Sequence, residues 1–166
     1  MPNQLVKVWL KTGKSIWLLV HLEIQSQAET GFEERMFTYC LRIFDQFHQL
    51  PTSLAILCDE SKTWRPQSYS TEYPDSSIHF RFGIVKLIDF RSRWEELEQS
   101  PNPFAVVVMA HLKTMETRPN PEQRKVWKLS LIRGLYERGL DRQDIVNLYR
   151  FIDWLMQLPK GLEKTL

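Results

Sequence analysis

The stretch Trp17 to Gln27, WLLVHLEIQSQ, constrains the chain more than any other. It is long, apolar and rich in strand-forming residues, and it ends by placing polar side chains where the pattern calls for apolar ones. In a strand, side chains alternate between two faces. Leu18, Val20, Leu22 and Ile24 then share one face, which reads as pure core. Trp17, Leu19, His21, Glu23 and Gln25 share the other, apolar at its start and polar at its end. A carboxylate on a buried strand must be paired, hydrogen-bonded or coordinated, because desolvating it alone costs several kcal/mol. Glu23-Ile24-Gln25 is therefore a candidate site. His21 lies on the same face, where a lone histidine is more often a packed, hydrogen-bonded residue than a ligand.

The elements around this stretch follow from periodicity and turn chemistry. Leu5 to Leu10 alternates apolar and polar residues, and Thr12-Gly13-Lys14 is a turn, so the first 25 residues read as a β-hairpin. Thr30-Gly31-Phe32-Glu33 has the form of a capping box. Phe32, Met36, Tyr39, Cys40, Ile43, Phe44 and Phe47 then recur at helical spacing to about His48. Ser53 to Cys58 is a short apolar strand, and a strand, a helix and a strand in that order favour a parallel crossover. Ser61 to Ser77 is polar and irregular. Ile78 to Phe90 reads as a strand region interrupted at Gly83.

Beyond Phe90 the period becomes helical. Ser92-Arg93-Trp94-Glu95 is a second capping-box pattern, and Asn102-Pro103 and Asn120-Pro121 each join an N-cap residue to a proline at the first helical position. Asp141 caps a last helix, with Ile145, Leu148, Ile152 and Leu155 as its stripe. The reading is an α/β core over residues 1–91, a mixed sheet flanked by helices, followed by an all-helical region over residues 92–166.

Composition narrows the function classes. A chain of 166 residues that is 43% hydrophobic can bury a real core. Its formal net charge of +2 gives no global attraction for nucleic acid, so any DNA contact must be local. No run reaches about 18 apolar residues, which speaks against a membrane span. Cys40 and Cys58 read as buried thiols of a reducing compartment, and a cytoplasmic location is expected. Arg124, Lys125, Lys128 and Arg133 read as a solvated helix face, and Asp59 and Glu60 as strand-end turn residues.

An acid and an amide two apart on a buried strand suit a metal-dependent phosphodiesterase. Glu23 would hold a hard divalent cation, the Ile24 carbonyl would add a second oxygen, and Gln25 would orient water. Such a site also needs a second carboxylate from a neighbouring strand. Arg35, Tyr39 and Arg42 fall at i, i+4 and i+7 on the next helix. They either approach a phosphate or solvate the outer helix face around a half-buried tyrosine.

The blocks LVHLEIQSQ, FEERMFTYCLRIF, SLAILCDE, WRP, NPFAVVVMAHLKT, KLSLIRGLYERG and LYRFIDWLMQLP occur in this order. In them the chain resembles the bacterial recombination-promoting nuclease and transposase-like family, and most of all its cyanobacterial members. The resemblance implies the restriction-endonuclease-like fold of the PD-(D/E)XK superfamily, Mg²⁺-dependent DNA cleavage, and E-x-Q in place of E-x-K. It assigns Glu23 to the motif glutamate and Gln25 to the position of the motif lysine. The upstream aspartate of the family falls at Asn3 or Gln4, both uncharged, with Asn3 the impaired stand-in. Losing that charge matters, since a unit pair about 4 Å apart is worth roughly 4 kcal/mol at an effective dielectric near 20. With the family's N-terminal helical segment also missing, the chain is expected to be truncated or degenerate at its start. The alternative reading is a non-catalytic DNA-binding or protein-interaction remnant, with the C-terminal helices associating with a partner or with a second copy as a homo-oligomer.

Overall fold

The computed structural model describes residues 4–9, 12, 13 and 15–163. The protein is mixed α/β, and it divides into two compact units, Met1–Lys86 and Leu87–Leu166.

The first unit is built on a four-stranded sheet of order β1-β2-β3-β6. Strands β1 (Gln4–Trp9) and β2 (Ser15–Gln25) form the antiparallel hairpin expected from the alternating pattern, with Gln4 opposite Val20. Gly13 takes φ 82 in the connection, a left-handed conformation in which a Cβ would be strained. The helix α1 (Phe32–Phe47) carries the chain back to β3 (Thr52–Leu57), which runs parallel to β2 with Glu23 beside Ala55 and Gln25 beside Leu57. Strand β6 (Gly83–Lys86) adds in parallel on the far side of β3. Gly83 has a steric reason to be glycine, because a Cβ there would stand 2.7 Å from Leu54 Cδ2 on the neighbouring strand.

Helix α1 covers one face of this sheet. Its Phe32 and Met36 are buried with Ala55 and Leu57 from β3 and with Phe82, and Trp64, Phe80 and Ile84 pack around them. Each Phe, Met or Leu side chain withdrawn from water contributes about 1.5–3 kcal/mol. The covered face is the one that carries Leu19, His21, Glu23 and Gln25. The supposed core face is the open one: Leu22 is 50% and Ile24 66% exposed, and Leu54 and Val85 are exposed beside them. Alternation distinguishes two faces of a strand, but only the crossover helix decides which is covered.

Between β3 and β6 the chain makes an excursion that the polar sequence conceals. Strand β4 (Ser68–Tyr73), in the segment expected to be irregular, pairs with β5 (Ser76–Arg81), which opens the expected strand region, as a separate antiparallel hairpin. From this hairpin Tyr69 stacks on Phe37 of α1 and Phe80 meets it at a tilt, with ring centroids 5.0 and 5.7 Å away. The expected strand through Phe90 stops at Lys86, and Leu87–Arg93 is a 3₁₀ segment.

The second unit is helical: α2 (Trp94–Gln99), α3 (Pro103–Glu116), α4 (Pro121–Glu137), α5 (Arg142–Leu155) and α6 (Lys160–Glu163). Val106, Met109, Leu112, Leu135, Ile152 and Met156 form its core. Three caps act as their residue types require. Asn102 accepts from Phe104 N–H at 3.0 Å, Asn120 from Gln123 N–H at 3.0 Å and Asp141 from Asp144 N–H at 2.8 Å. The two capping boxes do not form. Helix α1 starts from Gly31 at φ 81, and α2 starts from Arg93, both without a side-chain cap. A left-handed residue between Thr30 and the helix redirects the chain, and the Ser92 hydroxyl instead donates to the Asp89 carbonyl.

Candidate functional site

The candidate site lies on the covered face of β2, where polar positions begin next to α1. His21 is 3% exposed, its Nδ1 is 3.3 Å from Ser53 Oγ, and its ring meets Tyr39 edge-on with centroids 5.7 Å apart. Two residues on, the Glu23 side chain is 20% exposed, with Oε1 3.4 Å from His21 Nε2. That separation lies within ion-pair range, and Nε2 is a buried atom without a hydrogen-bond partner. Cys40 also faces Ser53. Burial pushes its thiol above the usual range, and the hydrogen bond with Ser53 opposes the rise.

Gln25 is held in a network of its own. Its amide donates to Gln27 carbonyl at 2.8 Å and to Glu29 Oε2 at 2.9 Å, so both N–H bonds are used. Arg35 closes the ring. Its Nη2 donates to Gln25 Oε1 at 2.7 Å and its Nη1 to both Glu29 oxygens at 2.7 Å, while the guanidinium carbon lies 5.1 Å from the Phe32 ring centroid. Arg42 is exposed, with its guanidinium 5.8 Å from the Tyr39 ring. The residues read from sequence as one group thus form two adjoining sets, Gln25 with Arg35 and Glu23 with His21 beside Tyr39 and Arg42.

Ile24 projects its side chain from the opposite, open face. Its carbonyl has a separate direction. Gln25 carbonyl accepts from Cys58 N–H on the β3 side, and successive carbonyls alternate along a strand, so the Ile24 carbonyl points to the β1 side. The described part of β1 ends there at Gln4, opposite Val20. Asn3 lies outside the described residues.

Two further features escaped the sequence. Lys86 has a side-chain exposure of 0%, and its ammonium donates to both Asp59 oxygens at 2.6 Å and to Trp64 carbonyl at 3.0 Å. Asp59 is thus half of a buried ion pair as well as a turn acceptor for Ser61 N–H. Neither Lys128 nor Arg124 belongs to a solvated face. Lys128 is buried and paired with Asp153 at 2.7 Å, and Arg124 donates to the carbonyls of Thr114 and Gln157. In the same unit a cleft of ≈ 310 Å³ is lined by Trp94, Trp127, Glu98, Glu137 and Arg138 among others.

The Mg²⁺ implied by the family resemblance needs at least a pair of oxygen ligands fixed by the protein. Among the described residues no three His, Cys, Asp or Glu side chains converge. Among the described residues, Glu29 is engaged by Arg35 and Asp59 by Lys86, while Glu23 Oε1 stands 3.4 Å from His21 Nε2. The described residues do not fit that ion. No helix of the described residues is long and apolar enough to cross a membrane. Compared with family models, curated proteins and solved structures, the chain finds no match in any of the three.

Proposed function

We propose that the protein is a nuclease-type domain directed at DNA phosphodiesters, with its site at the C-terminal end of β2. The observation that carries this reading is the switch along one strand face from buried Leu19 to His21, Glu23 and Gln25, beside the two arginines of α1. Its element order also supports the reading: a hairpin, a crossover helix and a parallel strand follow one another as in the PD-(D/E)XK core that the sequence blocks resemble. Arg42, exposed over Tyr39, takes a phosphate oxygen, and Arg35 anchors Gln25 so that the strand end holds its shape. Glu23 is the acid of the nuclease motif in this reading.

A second reading has its own support in the missing second carboxylate: a DNA-binding remnant that holds a phosphate and does not cleave. One set of assays separates the two. Nicking of supercoiled plasmid is measured with Mg²⁺ and with Mn²⁺, and binding of a labelled duplex by fluorescence anisotropy across salt concentrations. Nicking that disappears in Glu23→Gln supports the nuclease. Salt-dependent binding without nicking, weakened by Arg42→Ala with the salt slope reduced by about 1, supports the remnant. Absence of both nicking and binding overturns the DNA assignment.

A further inference from the structure

The ≈ 310 Å³ cleft of the helical unit is walled by the indoles of Trp94 and Trp127, over the buried side chains of Val106, Met109 and Leu131. Its volume falls at the lower end of small-molecule sites. The walls are set by contacts of their own. The two rings meet edge-on with centroids 5.6 Å apart, and Trp94 Nε1–H donates to Glu98 Oε1 at 2.6 Å. Lys113, which does not line the cleft, holds its ammonium 4.3 and 4.1 Å from their centroids. A cation already drawn to both π systems disfavours a second one and favours a neutral planar ring. Gly134 keeps the cleft open. It stands inside α4, where glycine weakens a helix, yet a Cβ there would meet nothing within 4 Å. Packing therefore does not require a glycine, and a longer side chain would take up cleft volume.

The cleft also offers one donor fork and one acceptor pair. Arg138 Nη1 donates to the carbonyls of Leu97 and Ser100 at 3.2 and 2.8 Å, and Nη2 lies 3.9 Å from Met109 Sδ. These contacts fix the guanidinium plane and leave Nε–H and one Nη2–H, the two donors of its side fork, without a partner among the described residues. Burial pulls the Arg138 guanidinium below its usual range and the charge of Glu98 opposes the fall, so Glu98 is its counter-charge. Glu137, by contrast, makes no hydrogen bond or ion pair among the described residues, and both its oxygens are open to accept. We infer that this cleft binds a guanine base, stacked on the indoles, with its amino edge donating to Glu137 and its O6 and N7 accepting from Arg138. Guanine alone among the common bases pairs two adjacent N–H donors on one edge with two adjacent acceptors on the other, and Arg to O6 and N7 is its usual bidentate contact. Adenine presents a donor beside an acceptor on both edges, so one oxygen of Glu137 and one N–H of Arg138 would each face the wrong partner. The site lies wholly within Leu87–Leu166 and does not rest on the nuclease reading.

The test titrates the full chain with guanosine, which carries no phosphate, so its result is independent of cleavage or duplex binding. Calorimetry reads affinity, and the NMR signal of the Trp94 indole N–H reports occupancy of the cleft. The expected result is one equivalent of guanosine, bound at least about 10-fold more tightly than adenosine. Gly134→Leu, which fills the cleft, abolishes binding, and so does Trp127→Leu. Glu137→Gln, an exposed isosteric change, weakens guanosine by about 10-fold and leaves adenosine as it was. Tyr136→Ala, at an exposed neighbour outside the cleft, changes nothing. If Trp127→Leu does not fold, Gly134→Leu and Glu137→Gln decide. Guanosine monophosphate and a short thymine strand with one central guanine distinguish the two sources of the base. Tighter binding of the strand assigns the cleft to an unpaired base, and tighter binding of the monophosphate assigns it to a free nucleotide. Absence of guanosine binding in the millimolar range, equal affinity for adenosine, or binding that survives Gly134→Leu overturns the inference.

Discussion

Removing Asp59 tests the energetic logic of the α/β unit most directly. The Lys86 ammonium has no contact with solvent, and its neighbours are two carboxylate oxygens at 2.6 Å, the Trp64 carbonyl and the Trp64 ring, 5.3 Å to the centroid. In Asp59→Ala the ammonium keeps one carbonyl and the ring, and loses both charged partners. Breaking a buried pair in this way costs about 3–5 kcal/mol, whereas replacing both partners by apolar residues of similar volume is near neutral. With a urea dependence of about 2 kcal/mol per M, the loss lowers the unfolding midpoint by roughly 1.5–2.5 M. Lys86→Met strands Asp59 and falls by a comparable amount, while Lys86→Met with Asp59→Leu recovers to within about 1 kcal/mol of wild type. Urea unfolding of wild type, Asp59→Leu, Lys86→Met and the double variant, followed by circular dichroism and tryptophan fluorescence, gives all four corners of the cycle, with Asp59→Ala measured beside them. A loss below about 1 kcal/mol in Asp59→Ala, or a double variant as unstable as the sum of the singles, would refute the buried-pair argument.

Other expectations are more local. Asn102→Ala, Asn120→Ala and Asp141→Ala should each lower stability by about 1 kcal/mol, whereas Thr30→Ala and Ser92→Ala should change the melting temperature little, because neither hydroxyl caps its helix. Gly83→Ala should cost under about 1 kcal/mol, because the clashing atom is the end of the exposed Leu54 side chain, which can rotate away, while the larger Gly83→Leu should cost about 1–3 kcal/mol. Equal losses for the two would sink that reading. Burial raises the Cys40 thiol above 9.0, so the folded state retains its proton longer than the unfolded chain. That contribution to stability is complete below the unfolded value near 9 and is lost as pH rises through the folded value. Comparing wild type with Cys40→Ala by urea titration from pH 8 to 10.5 should show a steeper decline for wild type. Alkylation of Cys40 by iodoacetamide at pH 8 should be slow in the folded protein and fast in urea.

What could be read from the chain alone was whatever neighbouring residues decide. Asn102, Asn120 and Asp141 announce their helices because a cap and its helix are adjacent, and the hairpin shows in the alternation before and after Gly13. Pairs distant in sequence leave no such mark. Nothing near Asp59 indicates Lys86, 27 positions away, and Lys128 looks like a surface lysine until Asp153 comes alongside it. Strand β4 and its pairing with β5 were missed because Tyr69, Thr71 and Tyr73 alternate with serines and a charge, a pattern that resembles a loop unless a helix offers Phe37 for Tyr69 to stack on. At the candidate site, the sequence singled out Glu23 and Gln25 as polar intruders. That Gln25 is tied to Arg35 and Glu29, and that Glu23 faces His21, depends on how α1 lies over β2.

The β4–β5 hairpin interrupts two strands that are immediate neighbours in the sheet, since β3 ends at Leu57 and β6 begins at Gly83. Its base is held by Phe82, whose N–H donates to Gln67 carbonyl, and its tip is the turn at Asp75 with φ 59. Lengthening a connection of this kind is entropically mild, about 0.6 kcal/mol for each doubling. The tip is accordingly where a peptide epitope or fluorophore tag can be spliced into the protein without disturbing the sheet beneath.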